Sequence, residues 1–401
     1  MRVCFLTLDF PPFRSSGLTI HAEKVVQGLA VRGHAVTVVT SRRPDHARVE
    51  GAFLPVQIDV VRVPIGRADW IGFGWQAARY LRSHQADFDI IHFADVHFAY
   101  SYRGPFVATV HQSFRQRLVA CHGRPYHTNQ WDYLFRLVYY NGARWLIERP
   151  AVQRARHLIA VSAAVRQEFI EHYGADPARI TVVHNGVDIG RFEQLPTQEE
   201  ARRRLKLPID GPILLYVGFS TPRKGLEYLA RAIRKMQTPS WLVMAGKWEA
   251  RYKKRFLGML GSARSRVLIV GYVPDVDLPL YFAAADVFVL PSLLEGFGIP
   301  LAEAMAAGVP VVTTTGGAAS EVVGNAGLVV PPGDSIALAA ALDRVLIDSA
   351  LAYRLGRAGR ERACTLFDER HIGAATESVY NLALDLCNLY TGGSTSVNRG
   401  S

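Results

Sequence analysis

The chain predicts an α/β protein built from two doubly wound, Rossmann-like domains. Short apolar runs of strand character alternate with helix-length segments, and that alternation occurs twice, once in each half. At 401 residues and 49% hydrophobic, the chain also exceeds what one core usually holds, so it should divide in two.

In the first half the strand candidates are VCFLTL (3–8), VTVVT (36–40), DVVRV (59–63), DIIHF (89–93), FVATV (106–110), LIAV (158–161) and TVVH (181–184). Helix-length spacers between them call for crossover connections and hence a parallel sheet. In the second half ILLYV (213–217), WLVMA (241–245), VLIV (267–270), DVFVL (286–290) and VPVVTT (309–314) repeat the scheme. The domain boundary falls after Asn185-Gly186-Val187-Asp188, where the charged stretch 193–206 contains Pro196 and reads as a linker entering a helix. Residues 1–190 are thus expected to form one domain and 191–370 the other. Residues 371–390 belong to a terminal helix, read from the pattern between Phe367 and Leu389, and 391–401, small and polar, to a disordered tail.

Composition excludes several classes. Cys4, Cys121, Cys364 and Cys387 show no paired spacing, which argues against a zinc site or a disulfide framework and favours a reduced, cytoplasmic setting. Asp9, Pro11 and Pro12 interrupt the first apolar run too early for a signal peptide, and no stretch approaches the roughly 20 apolar residues of a membrane span. The net charge of +11 is concentrated between Arg103 and Arg156, where nine arginines face only Asp132 and Glu148. Tyr126, Trp131, Tyr133, Phe135, Tyr139, Tyr140 and Trp145 are interleaved with them. Such a mixture suits an anionic membrane surface, and equally a buried helix with a solvated charged face. No nucleic-acid-binding motif accompanies it.

The most informative stretch is PSLLEGFGIPLAEAMAAGVPVV (291–312). Pro300 suits the first position of a helix and Gly308 the residue just past its end. Glu295, Gly296, Phe297 and Gly298 then face the positive end of that helix, and Glu303 lies on it. Unpaired N–H groups there suit an anion, while carboxylates accept from hydroxyls. Together these are the needs of a nucleotide sugar.

This segment resembles the signature of the family 4 retaining glycosyltransferases, in which two glutamates are separated by seven residues. VLIVGYVPDVDLPLYFAAADVFVLPS (267–292), GGAASEVVGNAGLVVPPGD (316–334), DFPPFRSSG near the N-terminus, TVHQSF, VSAAVRQEFIEHYG and VVHNGVDIGRF resemble that family too, over about residues 1–370. The resemblance implies the GT-B fold: two Rossmann-like domains facing across a cleft, with the terminal helix crossing back onto the N-terminal domain.

Ligands bind outside the carboxyl ends of parallel strands, so four loops should line the cleft. The first, Phe13-Arg14-Ser15-Ser16-Gly17, offers the Gly17 N–H to a phosphate, although the family has a second glycine where Ser16 stands. The second carries His111, which by resemblance touches the donor sugar. Gln112 follows it in place of the family's Asp, so that position presents no carboxylate for a covalent intermediate. In the third, Arg223 and Lys224 suit a departing diphosphate; Lys224 matches the family lysine, whereas Phe219 stands where many relatives have arginine. In the fourth, Glu295 would hold sugar hydroxyls, Gly296, Phe297, Gly298 and Ile299 would meet sugar and phosphate, and Glu303 would bind ribose. Gly271, Tyr272 and Val273 would flank the base, and Lys247 has no assigned role.

The expected activity is hexosyl transfer (EC 2.4) with retention, from GDP-mannose or a UDP-hexose to a hydroxyl of a glycolipid, polysaccharide or small molecule. Helix N-termini and Lys224 can supply the positive charge that a divalent cation supplies elsewhere, so neither metal nor other cofactor is expected. The expected location is the cytoplasm, peripherally at the inner face of the plasma membrane. Alternatives are another GT-B enzyme, a nucleotide-sugar epimerase or phosphorylase, or a binding-only homologue.

Overall fold

The computed structural model describes residues 1–11, 17–42, 58–65, 69–121 and 130–391. The first sheet contains β1 (Arg2–Leu6), β2 (Ala35–Arg42), β3 (Asp59–Pro64), β4 (Ile90–Phe93), β5 (Val107–Val110), β6 (His157–Ala160) and β7 (Ile180–Val182). Its order is β3-β2-β1-β4-β5-β6-β7, and every pair is parallel. The second contains β8 (Ile213–Val217), β9 (Trp241–Ala245), β10 (Val267–Gly271), β11 (Val287–Leu290), β12 (Val311–Thr314) and β13 (Gly327–Val330), in the order β10-β9-β8-β11-β12-β13, again all parallel. Apolar residues run continuously through the central strands because helices cover both faces; Val3, Cys4, Phe5 and Leu6 of β1 are wholly buried.

All twelve strand candidates form strands. β13 has no counterpart among them. It is four residues long, opens on Gly327 and is only partly buried, so its apolar run is too short and too weakly flanked to stand out.

The terminal helix, Arg370–Thr391, packs on the first helix of the chain, Gly17–Val31. Ile372, Val379, Tyr380 and Ala383 join Val25, Val26 and Leu29 in one apolar cluster. At its rim Lys24 meets Glu369 at 2.6 Å, and beneath it the Tyr380 hydroxyl meets His92 Nδ1 at 2.7 Å. The C-terminal end of the chain thereby closes the N-terminal sheet, as the GT-B arrangement requires. The tail expected at 391–401 lies outside the described residues beyond Thr391, as do Phe13 to Ser16, Arg124 and Tyr126.

The arginine-aromatic stretch forms helices Phe114–Cys121 and Gln130–Ala143, then a π-helical segment Arg144–Glu148. Trp131, Phe135 and Val138, at helical spacing, are 80%, 68% and 72% exposed, and Leu146 is exposed beside them. For these residues the buried-helix reading is set aside: the apolar stripe faces out. Among the described residues, no helix is long and apolar enough to cross a membrane.

Candidate active site

A cavity of about 540 Å³ opens between the carboxyl ends of the two sheets, a size suited to a small ligand. His111, Lys224, Glu295, Gly17, Arg223, Tyr272, Val273, Gly296, Phe297, Gly298, Ile299 and Glu303 all line it. Gly271 does not. It ends β10 in the left-handed region at φ +78°, and its carbonyl accepts from the Gly246 N–H at 2.6 Å, so its part is to shape the strand end.

The loop after β11 is built as a helix entry. Gly298, at φ 96°, caps the helix Ile299–Ala306 with no side-chain cap of its own. Pro300 has no N–H and the Leu301 N–H donates to the Gly298 carbonyl at 2.9 Å, which leaves the Ile299 N–H as the unpaired donor of the first turn beside the cavity. Pro300 occupies the second helical position rather than the first, where its missing N–H is equally harmless.

Beside this entry Lys224 Nζ donates to Glu295 Oε1 at 2.5 Å, and the same oxygen accepts from Ser292 Oγ at 2.5 Å. Arg223 Nη1 lies 3.7 Å from Glu295 Oε2 and donates to the Leu294 carbonyl at 3.0 Å, so this arginine is built into the loop rather than solvated at the surface. Burial alone would raise the Glu295 pKa, but the Lys224 and Arg223 charges hold it below the usual glutamate value. Burial lowers that of Lys224, with Glu295 opposing. A buried cation whose partner is a carboxylate of the neighbouring loop is poised to exchange it for a ligand anion.

Glu303 projects from the helix into a drier place. Burial pushes its carboxyl up to about 7, with Arg191 3.7 Å away opposing the shift and Asp275 adding to it.

The opposite wall comes from the N-terminal domain. His111 ends β5, and its Nε2 donates to the Ala94 carbonyl at 3.0 Å, which leaves Nδ1 as the acceptor of the neutral ring. Burial lowers its pKa, with the Asp95 charge opposing, so the neutral form is favoured. Gln112, with its amide oxygen turned to the donors, accepts from Arg223 Nη1 at 3.2 Å and from the Gly296 N–H at 3.0 Å. Ser162 Oγ donates to the Gly296 carbonyl at 2.9 Å while accepting from the Val165 N–H that it caps. Glu321, from the second domain, accepts from the Ala163 and Ala164 N–H groups at 2.8 and 3.0 Å and meets His184 at 3.1 Å. The loop after β11 is thus seated directly on the other domain.

Several wall residues have no warning in the local sequence. Asp95 follows β4 and lines the cavity, supplying the carboxylate near His111 that position 112 does not. His97 Nδ1 meets Asp95 Oδ1 at 2.6 Å, and His97 Nε2 meets Glu148 Oε1 at 2.7 Å. Burial opposes the charge on His97, yet the two carboxylates raise its pKa to about 9; in return, despite burial, His97 holds Asp95 at about 2. An aspartate so stabilised is a weak base but a good acceptor for a hydroxyl. Arg117, Asn185 and Lys247 also line the cavity, and Lys247 Nζ lies 5.1 Å over the Tyr272 ring. Among the described residues, no group of three or more His, Cys, Asp or Glu side chains is placed to hold a metal ion.

The comparisons with known proteins agree with this architecture. Residues 15–191 match Glycosyltransferase Family 4, and residues 197–362 match Glycosyl transferases group 1. The chain is 31% identical to a glycogen synthase of Mycobacterium tuberculosis over 95% of its length and 94% of that protein's. Among solved structures, sucrose-phosphate synthase from Thermosynechococcus elongatus superposes with a TM-score of 0.78 at 23% identity, covering 96% of this chain and 99% of that one. The Anabaena protein HepE in complex with UDP-glucose gives 0.71 at 20% identity, over 96% and 100%. With the sequence match spanning both domains and the two facing sheets meeting at one cleft, the chain belongs to the family 4 glycosyltransferases of the GT-B fold.

Proposed function

We propose that the protein is a metal-independent hexosyltransferase that uses a nucleotide-diphosphate sugar, GDP-mannose or a UDP-hexose, and transfers the hexose with retention to a hydroxyl of a glycolipid, polysaccharide or small molecule. One observation carries the reading: a single cavity sets Lys224, Arg223 and an open helix N-terminus beside two buried carboxylates, with His111 and Asp95 across from them. The cations and N–H groups suit the charge that grows on the leaving diphosphate, as a divalent cation does in other enzymes. Glu295 holds sugar hydroxyls and Glu303 the ribose. Tyr272, Val273 and Lys247 stand where the base would lie. The departing phosphate oxygen takes the proton of the attacking hydroxyl on the face from which it leaves, while Asp95 orients that hydroxyl. The structure of HepE is a complex with UDP-glucose, which supports a nucleotide-sugar donor for this chain.

Glu303 gives this assignment a pH signature. Because burial raises its pKa to about 7, the carboxylate that accepts from ribose hydroxyls is populated only as pH rises through that value. Nucleoside diphosphate affinity is expected to climb by up to roughly tenfold between about pH 6 and pH 8, and Glu303→Gln to remove most of the climb. Calorimetric titration of both proteins checks this; identical pH profiles would contradict the ribose contact. Glu295→Gln should behave differently. It releases Lys224 for the diphosphate, so nucleotide binding should hold or tighten while transfer falls.

The exposed stripe of Trp131, Phe135, Val138 and Leu146, in a segment whose sequence also carries Arg136, Arg144 and Arg149, favours a site of action at an anionic membrane surface. Trp131→Ser combined with Phe135→Ser should abolish sedimentation with anionic vesicles at low salt. A wild-type protein that ignores such vesicles contradicts the placement.

A further inference from the structure

Behind the N-terminal wall of the cleft, one carboxylate is shared by the segments that build it. Glu148 is wholly buried and ends the π-helical segment Arg144–Glu148. Pro150, just inside the next helix Arg149–Arg154, has no N–H to return to the preceding turn, and the Arg149 N–H reaches back five residues to the Arg144 carbonyl. Across the widened turn Trp145 and Leu146 are exposed while Glu148 is turned inward. There its Oε1 meets His97 Nε2 at 2.7 Å, and its Oε2 accepts from the Phe114 N–H at 3.0 Å.

Those two contacts lead to the two wall residues that face the reaction. His97 Nδ1 is 2.6 Å from Asp95 Oδ1, and the same oxygen accepts from the His97 backbone N–H at 3.0 Å. Both bonds engage Oδ1, so Oδ2 is the oxygen left for a ligand in the cavity that Asp95 lines. Phe114 opens the helix Phe114–Cys121 three residues after His111, and His111 is bonded to the Ala94 carbonyl beside Asp95. Glu148 thus ties the Asp95 loop to the segment that carries His111.

A charge is more than packing requires here. Burying a carboxylate is costly unless its pairing is good, and a glutamine would accept from the Phe114 N–H as well. What the charge adds is control of His97. Burial disfavours the imidazolium, but the carboxylates on either side outweigh it and keep the ring charged at neutral pH. Without Glu148 the Nε2 proton loses its acceptor, and nothing fixes which nitrogen a neutral ring turns to Asp95.

We propose that Glu148 is a positioning residue for the transfer reaction, acting through His97 to fix the Asp95 carboxylate against the attacking hydroxyl. This rests on the nucleotide-sugar transferase reading, in which Asp95 orients that hydroxyl, and deepens it by naming what sets Asp95. A side chain that never touches the substrate thereby controls how its nucleophile is aligned.

Two measurements separate the relay from the reaction. Histidine side-chain NMR at pH 7, with His97→Gln to assign the signal, should show His97 doubly protonated in the wild type and singly protonated in Glu148→Gln. A singly protonated His97 in the wild type would overturn the proposal whatever the activity. The second readout is hydrolysis of UDP-glucose and GDP-mannose, in which water takes the place of the acceptor hydroxyl. Glu148→Gln should lower kcat by about 10- to 100-fold, the scale of a misaligned reacting group, and leave the donor KM within about twofold. His97→Gln should lose a similar factor, the double variant no more, and Glu148→Asp should recover part of the loss.

Unchanged kcat in Glu148→Gln, losses that multiply in the double variant, or a donor KM that rises as kcat falls would each overturn the relay and leave the transferase reading standing. If a thermal melt shows Glu148→Gln unfolded, His97→Gln carries the same kcat and KM test. Hydrolysis of neither donor by the wild type would overturn the transferase reading, and this proposal with it.

Discussion

Lys224→Ala is expected to lower kcat by about 100- to 1000-fold, the loss seen when one preorganised electrostatic donor is removed from a developing anion. Lys224 is buried, and its ammonium already sits in hydrogen-bond contact with Glu295 at the mouth of the helix Ile299–Ala306. In the proposed reaction the leaving diphosphate replaces or shares that partner, so the interaction strengthens as the bond to the sugar breaks. The loss should therefore appear in kcat as well as in kcat/KM. The alanine variant also leaves Glu295 with Ser292 and the more distant Arg223 as its neighbours. A thermal melt on the same samples separates a folding defect from a catalytic one. A variant that folds and retains more than about a third of wild-type kcat would remove Lys224 from the chemistry.

Gly296→Ala should be nearly as damaging for a different reason. A Cβ at this position would lie 2.2 Å from the His111 backbone carbonyl and 3.0 Å from Gln112 Cγ. A backbone carbonyl cannot turn aside as a side-chain tip can, so the donor loop must lift off the N-terminal wall. That movement stretches the Ser162 and Gln112 hydrogen bonds to Gly296 and pulls Glu295 away from His111. Displacement of a positioning loop by about 1 Å costs on the order of 100-fold in rate. Steady-state kinetics on the folded variant checks this, and near-normal turnover would show that this seating of the two domains is not the reactive one.

These two residues also mark where the sequence was readable and where it was not. The sheets were legible because each of these strands is a short, continuous apolar run set off by breaks on either side, as in ILLYV for β8 and WLVMA for β9. β13 was not, since GLVV is hardly longer than chance apolar runs in helices. The donor loop was legible because its chemistry is contiguous: Glu295, the glycines and Glu303 sit within one strand-to-helix turn, and Pro300 and Gly308 punctuate it.

The N-terminal wall of the cavity was illegible for the opposite reason. Asp95, His97 and Glu148 acquire meaning only when β4, the loop after β5 and the π-helical segment converge, and nothing in the spacing of 95, 97 and 148 announces that. Arg117 was one arginine among nine in a basic stretch, and only the fold brings it to the cavity. Gly271 illustrates the converse. A glycine at a strand end invited a binding role, yet its positive φ and its bond to Gly246 account for it.

The proposed reaction moves a hexose from a nucleotide sugar in one cleft, without a metal and with its anomeric configuration kept. NMR of the purified enzyme with UDP-glucose or GDP-mannose and a panel of soluble hydroxyl-bearing acceptors, in buffer containing EDTA, follows each part of that statement at once. The expected result is release of the nucleoside diphosphate together with a product whose anomeric coupling is that of the α-linked donor, at a rate unchanged by added Mg²⁺. An inverted product, or turnover that appears only when Mg²⁺ is restored, would contradict it.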